Sequence, residues 1–180
     1  MAEFYDSFSF GGVNMLARFG IRVLYYDLLT PPLRARKLVV PGRSGAYDFG
    51  AKYYDERLLR LECDSRNGLS RADLRELAYL LSKKQRIVLW DDPARYYIGR
   101  MYDPAELGWT GSVVCEFTLS FLCEPFAYGV TRTQNGVTGE AIKPEYAGTT
   151  PAPVRIQITN NTAAPVSGVH LLVRERRDSY

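Results

Sequence analysis

The sequence has no run of about 18 apolar residues, the minimum for a membrane-spanning helix. Its first residues, Met1-Ala2-Glu3-Phe4-Tyr5-Asp6, are acidic and mixed, so no secretory leader is expected. It has one histidine, His170, and any Ser-His-Asp or Cys-His mechanism would have to use it. The three cysteines, Cys63, Cys115 and Cys123, are odd in number and have no CxxC spacing, which argues against a disulfide framework or zinc ribbon. All three fall at apolar positions of strand-like runs and read as buried, reduced thiols. Cys115 and Cys123 lie on one expected strand, roughly 26 Å apart at about 3.3 Å per residue, and cannot bridge unless it bends back. No compact ligand set exists, so no metal, cofactor or catalytic site is expected.

Charge of one sign is also missing. The 23 basic and 20 acidic residues leave a formal net charge of +3, and both signs are mixed along the chain. Strong nonspecific nucleic-acid binding is not expected. What the 180 residues do hold is an ordinary apolar fraction with 13 tyrosines and eight phenylalanines. That suits one sizeable β-rich domain and protein interfaces.

Period-two alternation recurs along the chain. Phe4, Phe8 and Phe10 share a face of an opening strand, and Gly11-Gly12 makes a turn. A second strand covers 22–26. Thr30-Pro31-Pro32-Leu33 is an extended connector, because two prolines remove two ladder donors. Strand 36–40 leads into a glycine-rich stretch. In 56–64, Leu59, Leu61 and Cys63 face one way, with Arg60, Glu62 and Asp64 opposite. One helix stands out at 70–81: Ser70 is a good N-cap, Asp73 sits beside the positive end, and Leu74, Leu77, Ala78 and Leu81 form the apolar stripe. Strands follow at 86–89 and 96–101, joined by an Asp91-Asp92-Pro93 turn. The longest strand, 112–123, puts Val113, Cys115, Phe117, Leu119 and Phe121 on one face. In each of the pairs Tyr25-Tyr26, Tyr53-Tyr54 and Tyr96-Tyr97, one tyrosine should face the core and the other the rim.

After Pro125 the chain turns rich in glycine, threonine, asparagine and proline. The expected domains are 1–128, a linker over 129–150 with a hairpin signal at Asn135-Gly136, and a short β extension over 151–180. That extension holds strands at 154–159 and 168–174, with His170 exposed. Two strands cannot fold alone. They dock on the first domain, pair with another subunit, or begin something longer.

The mixture in Pro41-Gly42-Arg43-Ser44-Gly45-Ala46-Tyr47-Asp48-Phe49-Gly50 is unlike any catalytic motif. It lacks the GxxxxGK[ST] pattern, and no convincing helix follows to converge donors on a phosphate. It reads as a shaped contact loop. Pro41, Gly42, Arg43, Gly45, Tyr47, Asp48, Phe49 and Gly50 are the candidate subunit or tube interface.

Seven segments in order resemble the N-terminal domain of phage distal tail proteins. They are Phe4-Tyr5-Asp6-Ser7-Phe8-Ser9-Phe10, Gly20-Ile21-Arg22-Val23, the 41–50 loop, the 57–64 strand, the 70–81 helix, the 89–100 segment LWDDPARYYIGR, and Phe121-Leu122-Cys123-Glu124-Pro125-Phe126-Ala127-Tyr128. Residues 150–174 resemble only the start of that family's C-terminal sandwich. The resemblance implies a β-sandwich with one α-helix and a protruding β-hairpin, without enzymatic activity. It further implies a virion protein of a long non-contractile tail, assembled in the host cytoplasm as a homohexameric ring. The implied partners are the tail-tube protein, the tail-tip protein and a receptor-binding protein, with no membrane and no specific nucleic acid. Two rival readings are a carbohydrate-binding β-sandwich module and a hydrolase using Asp91 and Asp92.

Overall fold

The computed structural model describes residues 6–34, 37–42, 44–48, 53–137, 139–142, 146, 148–150, 152–168 and 170–171. The chain divides into two compact units, Met1–Arg132 and Thr133–Tyr180.

The first unit is mainly antiparallel β. In chain order it contains β1 (Phe8–Phe10), β2 (Val13–Asn14), α1 (Met15–Phe19), β3 (Ile21–Leu28), β4 (Lys37–Val39), β5 (Ala46–Asp48) and β6 (Arg57–Leu69). There follow α2 (Arg71–Leu81), β7 (Gln85–Leu89), β8 (Arg95–Met101), β9 (Glu106–Thr110), β10 (Val113–Cys123) and β11 (Tyr128–Gly129). The main sheet runs β2-β1-β7-β8-β10-β6-β3, with β9 beside β10 and β11 beside β8. β4 and β5 form a separate two-stranded ribbon.

The sheet is curled onto itself. Three strand steps separate β1 from β10, roughly 14 Å in a flat sheet. Yet the rings of Phe8 and Phe10 lie 6.0 Å and 5.6 Å from that of Phe121. The far ends of the strand order also meet: Val23 N donates to Asp6 O at 2.8 Å, and Ser7 Oγ donates to Ile21 O at 2.9 Å. Two layers of one sheet thus face each other as a β-sandwich around Phe8, Phe10, Ile21, Leu59, Leu61, Ile87, Leu119 and Phe121, all at most 2% exposed.

The helices are locally encoded. Ser70 Oγ accepts from Asp73 N, and the Asp73 carboxylate accepts from Ser70 N, closing a capping box. The Ser70 hydroxyl also donates to that carboxylate at 2.6 Å, and this bond, with the one from Ser70 N, holds the Asp73 pKa below its ordinary value. The buried stripe of α2 is Leu77 and Leu81, flanked by half-buried Leu74 and Leu80, while Ala78 is exposed. Helix α1 was not foreseen: five residues are too few for a periodic signal. It starts at Asn14, whose side chain accepts from Ala17 N, and stops at Gly20 in the left-handed region (φ 66°).

Several expectations need correcting. A register shift between Val114 and Glu116 reverses the alternation, so Val114 is buried while Val113 and Cys115 are only half-buried. Prolines 31 and 32 do not take the connector out of the ladder: Pro32 O accepts from Asp55 N, and Leu33 bridges Tyr54. A proline lacks a donor but keeps its acceptor. The tyrosine rule holds for Tyr25/Tyr26 and Tyr96/Tyr97, whereas Tyr53 and Tyr54 are both exposed. Phe4 lies outside the described residues. Cys63 and Cys123 are buried, Cys115 is half-buried, and all three are free thiols. Desolvation pushes the Cys63 and Cys123 thiols up to about 12.

In the second unit the expected strand at 154–159 is absent. The described residues of 133–171 form no strand, and Asn135-Gly136 is not flanked by a hairpin. Asn160 instead organises a turn, accepting from Thr162 N and donating to Ala164 O, each at 2.9 Å. Of the expected 168–174 strand, 168, 170 and 171 are not in a strand, and the rest lies outside the described residues.

Two predictions follow from this packing. A Cβ added at Gly99 would stand 2.6 Å from Cys123 Sγ and 3.1 Å from Leu122 O. Gly99→Ala should therefore cost about 1–3 kcal/mol, with Cys123→Ala in the same chain recovering part of the loss in urea unfolding. The second concerns the exit of β10. Glu124 accepts from Lys84 Nζ at 2.6 Å and from the Tyr128 hydroxyl at 2.5 Å. These bonds lower the Glu124 pKa and push Tyr128 up to about 12. The Glu124 contribution is present above its unfolded pKa and fades as pH falls through the lower folded value. The Tyr128 contribution is present below pH ~10 and fades as pH rises through its folded pKa. Glu124→Gln should flatten the acid limb of stability and move one tyrosinate absorbance step toward pH ~10.

Candidate assembly interface

The glycine-rich stretch sits at the end of an arm that grows out of the main sheet. β3 and β6 pair down to Leu28↔Leu59. Beyond that pair Leu29 N donates to Leu58 O, Asp55 N to Pro32 O, and Arg34 N to Tyr53 O. Leu33↔Tyr54 keeps the register of Leu28↔Leu59, and pairing resumes at Lys37↔Asp48, Leu38↔Tyr47 and Val39↔Ala46. The arm is the outward continuation of the β3–β6 ribbon. Arg34 and Asp55 form an ion pair at 2.5 Å near its base, and Tyr54 stacks edge-on against Phe126 at 5.3 Å.

Part of the candidate contact stretch is strand: Ala46, Tyr47 and Asp48 belong to β5, and the described residues 40–42, 44 and 45 lie between β4 and β5. Pro41 and Gly42 are exposed turn residues, and Gly45 follows in a bend. Gly42 and Gly45 both have φ 83°, with open space where a Cβ would be. Their glycine is needed for backbone shape, not for room. Tyr47 is half-exposed opposite Leu38, and Asp48 lies opposite Lys37. Arg43, Phe49 and Gly50 lie outside the described residues. The turn joins two strands, so no helix N-terminus gathers donors for a phosphate.

The arm exposes apolar side chains that a free surface would not favour. Leu33, Leu38, Val39, Tyr47 and Tyr53 are all at least half exposed, with Val39 at 74%. A second exposed apolar strip lies on β9, a strand the sequence reading missed. Leu107 and Trp109 alternate there, followed by a Gly111-Ser112 hairpin turn (Gly111 φ 64°), a signal that could have revealed it. The Arg71 guanidinium lies 5.7 Å from the Trp109 ring, and Arg71, Leu74, Arg75 and Trp109 line a shallow groove.

Asp91 accepts from the Tyr26 hydroxyl beside Trp90, and Asp92 lies 3.8 Å from Arg95. His170 is exposed in the other unit. Among the described residues no group of three His, Cys, Asp or Glu side chains could hold a metal ion.

No family model matches the chain, and no curated protein matches it. Its fold is similar to the crystal structure of SPP1 Dit (gp 19.1), described as a paradigm of the hub adsorption apparatus in Gram-positive infecting phages. The TM-score is 0.55 at 24% identity, over 69% of this chain and 52% of that one. The chain therefore spans about half the length of that protein.

Since Leu38 and Val39 are exposed, Leu38→Asp with Val39→Asp should shift stability by no more than about 0.5 kcal/mol per site. Chemical denaturation of the full chain checks this.

Proposed function

We propose that the protein is a structural component of a phage tail's adsorption apparatus. In this reading six copies close a ring at the distal end of a long non-contractile tail and join tail tube to tail tip. The observation that carries it is the pairing of a Dit-like fold with a projecting hairpin whose exposed apolar residues need a partner. A closed ring requires a heterologous interface, one surface meeting a different surface of the next copy. The hairpin supplies one such surface, with Pro41, Gly42, Arg43, Gly45, Tyr47, Asp48, Phe49 and Gly50 at or near its contact end. Near-neutral charge suits a conduit for DNA, because clusters of cations would hold phosphates in place.

The purified chain should show a sixfold mass by light scattering, alone or on tail-tube protein. Leu38→Asp with Val39→Asp should keep the fold and lose that mass. Rings formed equally well by the variant would rule out the hairpin as the contact. A chain that stays monomeric alone and with tube protein would argue against the ring itself.

A further inference from the structure

Two features of the chain are each half of a β-ladder. The first is β9. One of its edges pairs with β10, and no strand among the described residues pairs with the other. All five of its residues are exposed, and it contains no proline or lysine to discourage pairing. The second is the segment Val154-Arg155-Ile156-Gln157-Ile158-Thr159. Its alternation and β-branched content are those of a strand. Residues 152–168 are nevertheless all exposed and in no strand, with Val154 at 76%, Ile156 at 49% and Ile158 at 62%.

We infer that residues 154–158 of one copy add as an antiparallel strand to the free edge of β9 in a second copy. The two patterns fit in one register, Ile156 opposite Leu107. Val154 then lies opposite Trp109 and Ile158 opposite Ala105, so the apolar residues of both strands share a face. Ala105 already packs against the core. On the other face Arg155 falls opposite Gly108. Gly108 is paired on its far side with Glu116, and Glu106 is two residues along. Lacking a side chain, Gly108 lets the guanidinium reach across toward Glu116, with Glu106 diagonal to it. Among the described residues Arg155, Glu106 and Glu116 have no ion-pair partner. Main-chain hydrogen bonds supply affinity in such strand addition, and alternate side chains set the register. A one-residue slip would turn Val154, Ile156 and Ile158 onto the face of the glutamates. The pairing is independent of any role in a phage tail and gives a copy-to-copy contact distinct from the hairpin.

The register puts Gln157 opposite Glu106. Full-length Glu106→Cys and Gln157→Cys chains, each also carrying Cys115→Ser, are mixed and oxidised with copper phenanthroline. The expected product is a disulfide-linked dimer of one chain of each kind, absent when either is oxidised alone. Ile156→Lys in the Gln157→Cys chain should abolish it, and Arg155→Glu should lower its yield several-fold. Both cysteine positions are exposed, so unchanged melting confirms that the chains are folded. The proposal is overturned by absence of the mixed dimer, or by a yield indifferent to Ile156→Lys. It is equally overturned if a chain carrying both Glu106→Cys and Gln157→Cys closes only an internal bond.

Discussion

The first unit depends on the closing of its sheet around Phe121. A curled sheet must satisfy two conditions together: its inner side chains must fill the space between the layers, and its first and last strands must meet. Phe8 and Phe10 fulfil the first by reaching Phe121 from the opposite layer. Asp6 and Ser7 fulfil the second by bonding to Val23 and Ile21. The seam is thin in hydrogen bonds, so its strength comes from the aromatic packing beneath it and from Tyr26, which reaches across to Trp90 and Asp91. The register shifts beside Leu24 and Cys115 add twist, and Gly99 lets β8 lie close against Cys123.

Legibility in the sequence followed the range of the physics. The capping box at Ser70 and Asp73 is local, so α2 was readable to its first residue. The alternation of Leu59, Leu61 and Cys63 reflects one wet and one dry face, which a strand imposes by itself. The bulge at Cys115 was not readable, because it arises from how β10 meets β6 and β9, not from the residues of β10. The same limit explains the second unit. Val154, Ile156 and Ile158 form a strand pattern, but a strand needs a partner edge, and a pattern does not supply one. Of the candidate contact stretch, its glycine geometry and exposure were legible. Its division into turn and strand was not, since Ala46, Tyr47 and Asp48 are drawn into pairing by β4. The ordered series of motifs carried fold information that no single motif held, and the fold similarity to a phage hub protein agrees with it.

Tyr26 is bonded to Asp91 and Tyr128 to Glu124. Exposed aliphatic and aromatic groups lie on the hairpin, β9 and the 154–158 segment, with others such as Tyr79, Tyr102 and Val130 elsewhere.

The arm's continuity with β3 and β6 has a mechanical meaning. β6 is paired along both its edges, with β3 and with β10. A pull along the hairpin axis therefore reaches the domain as shear across two ladders, whose hydrogen bonds bear the load side by side. Peeling the same hairpin sideways would break those bonds one at a time. Anything held through this arm would be gripped stiffly along one direction and yield in another.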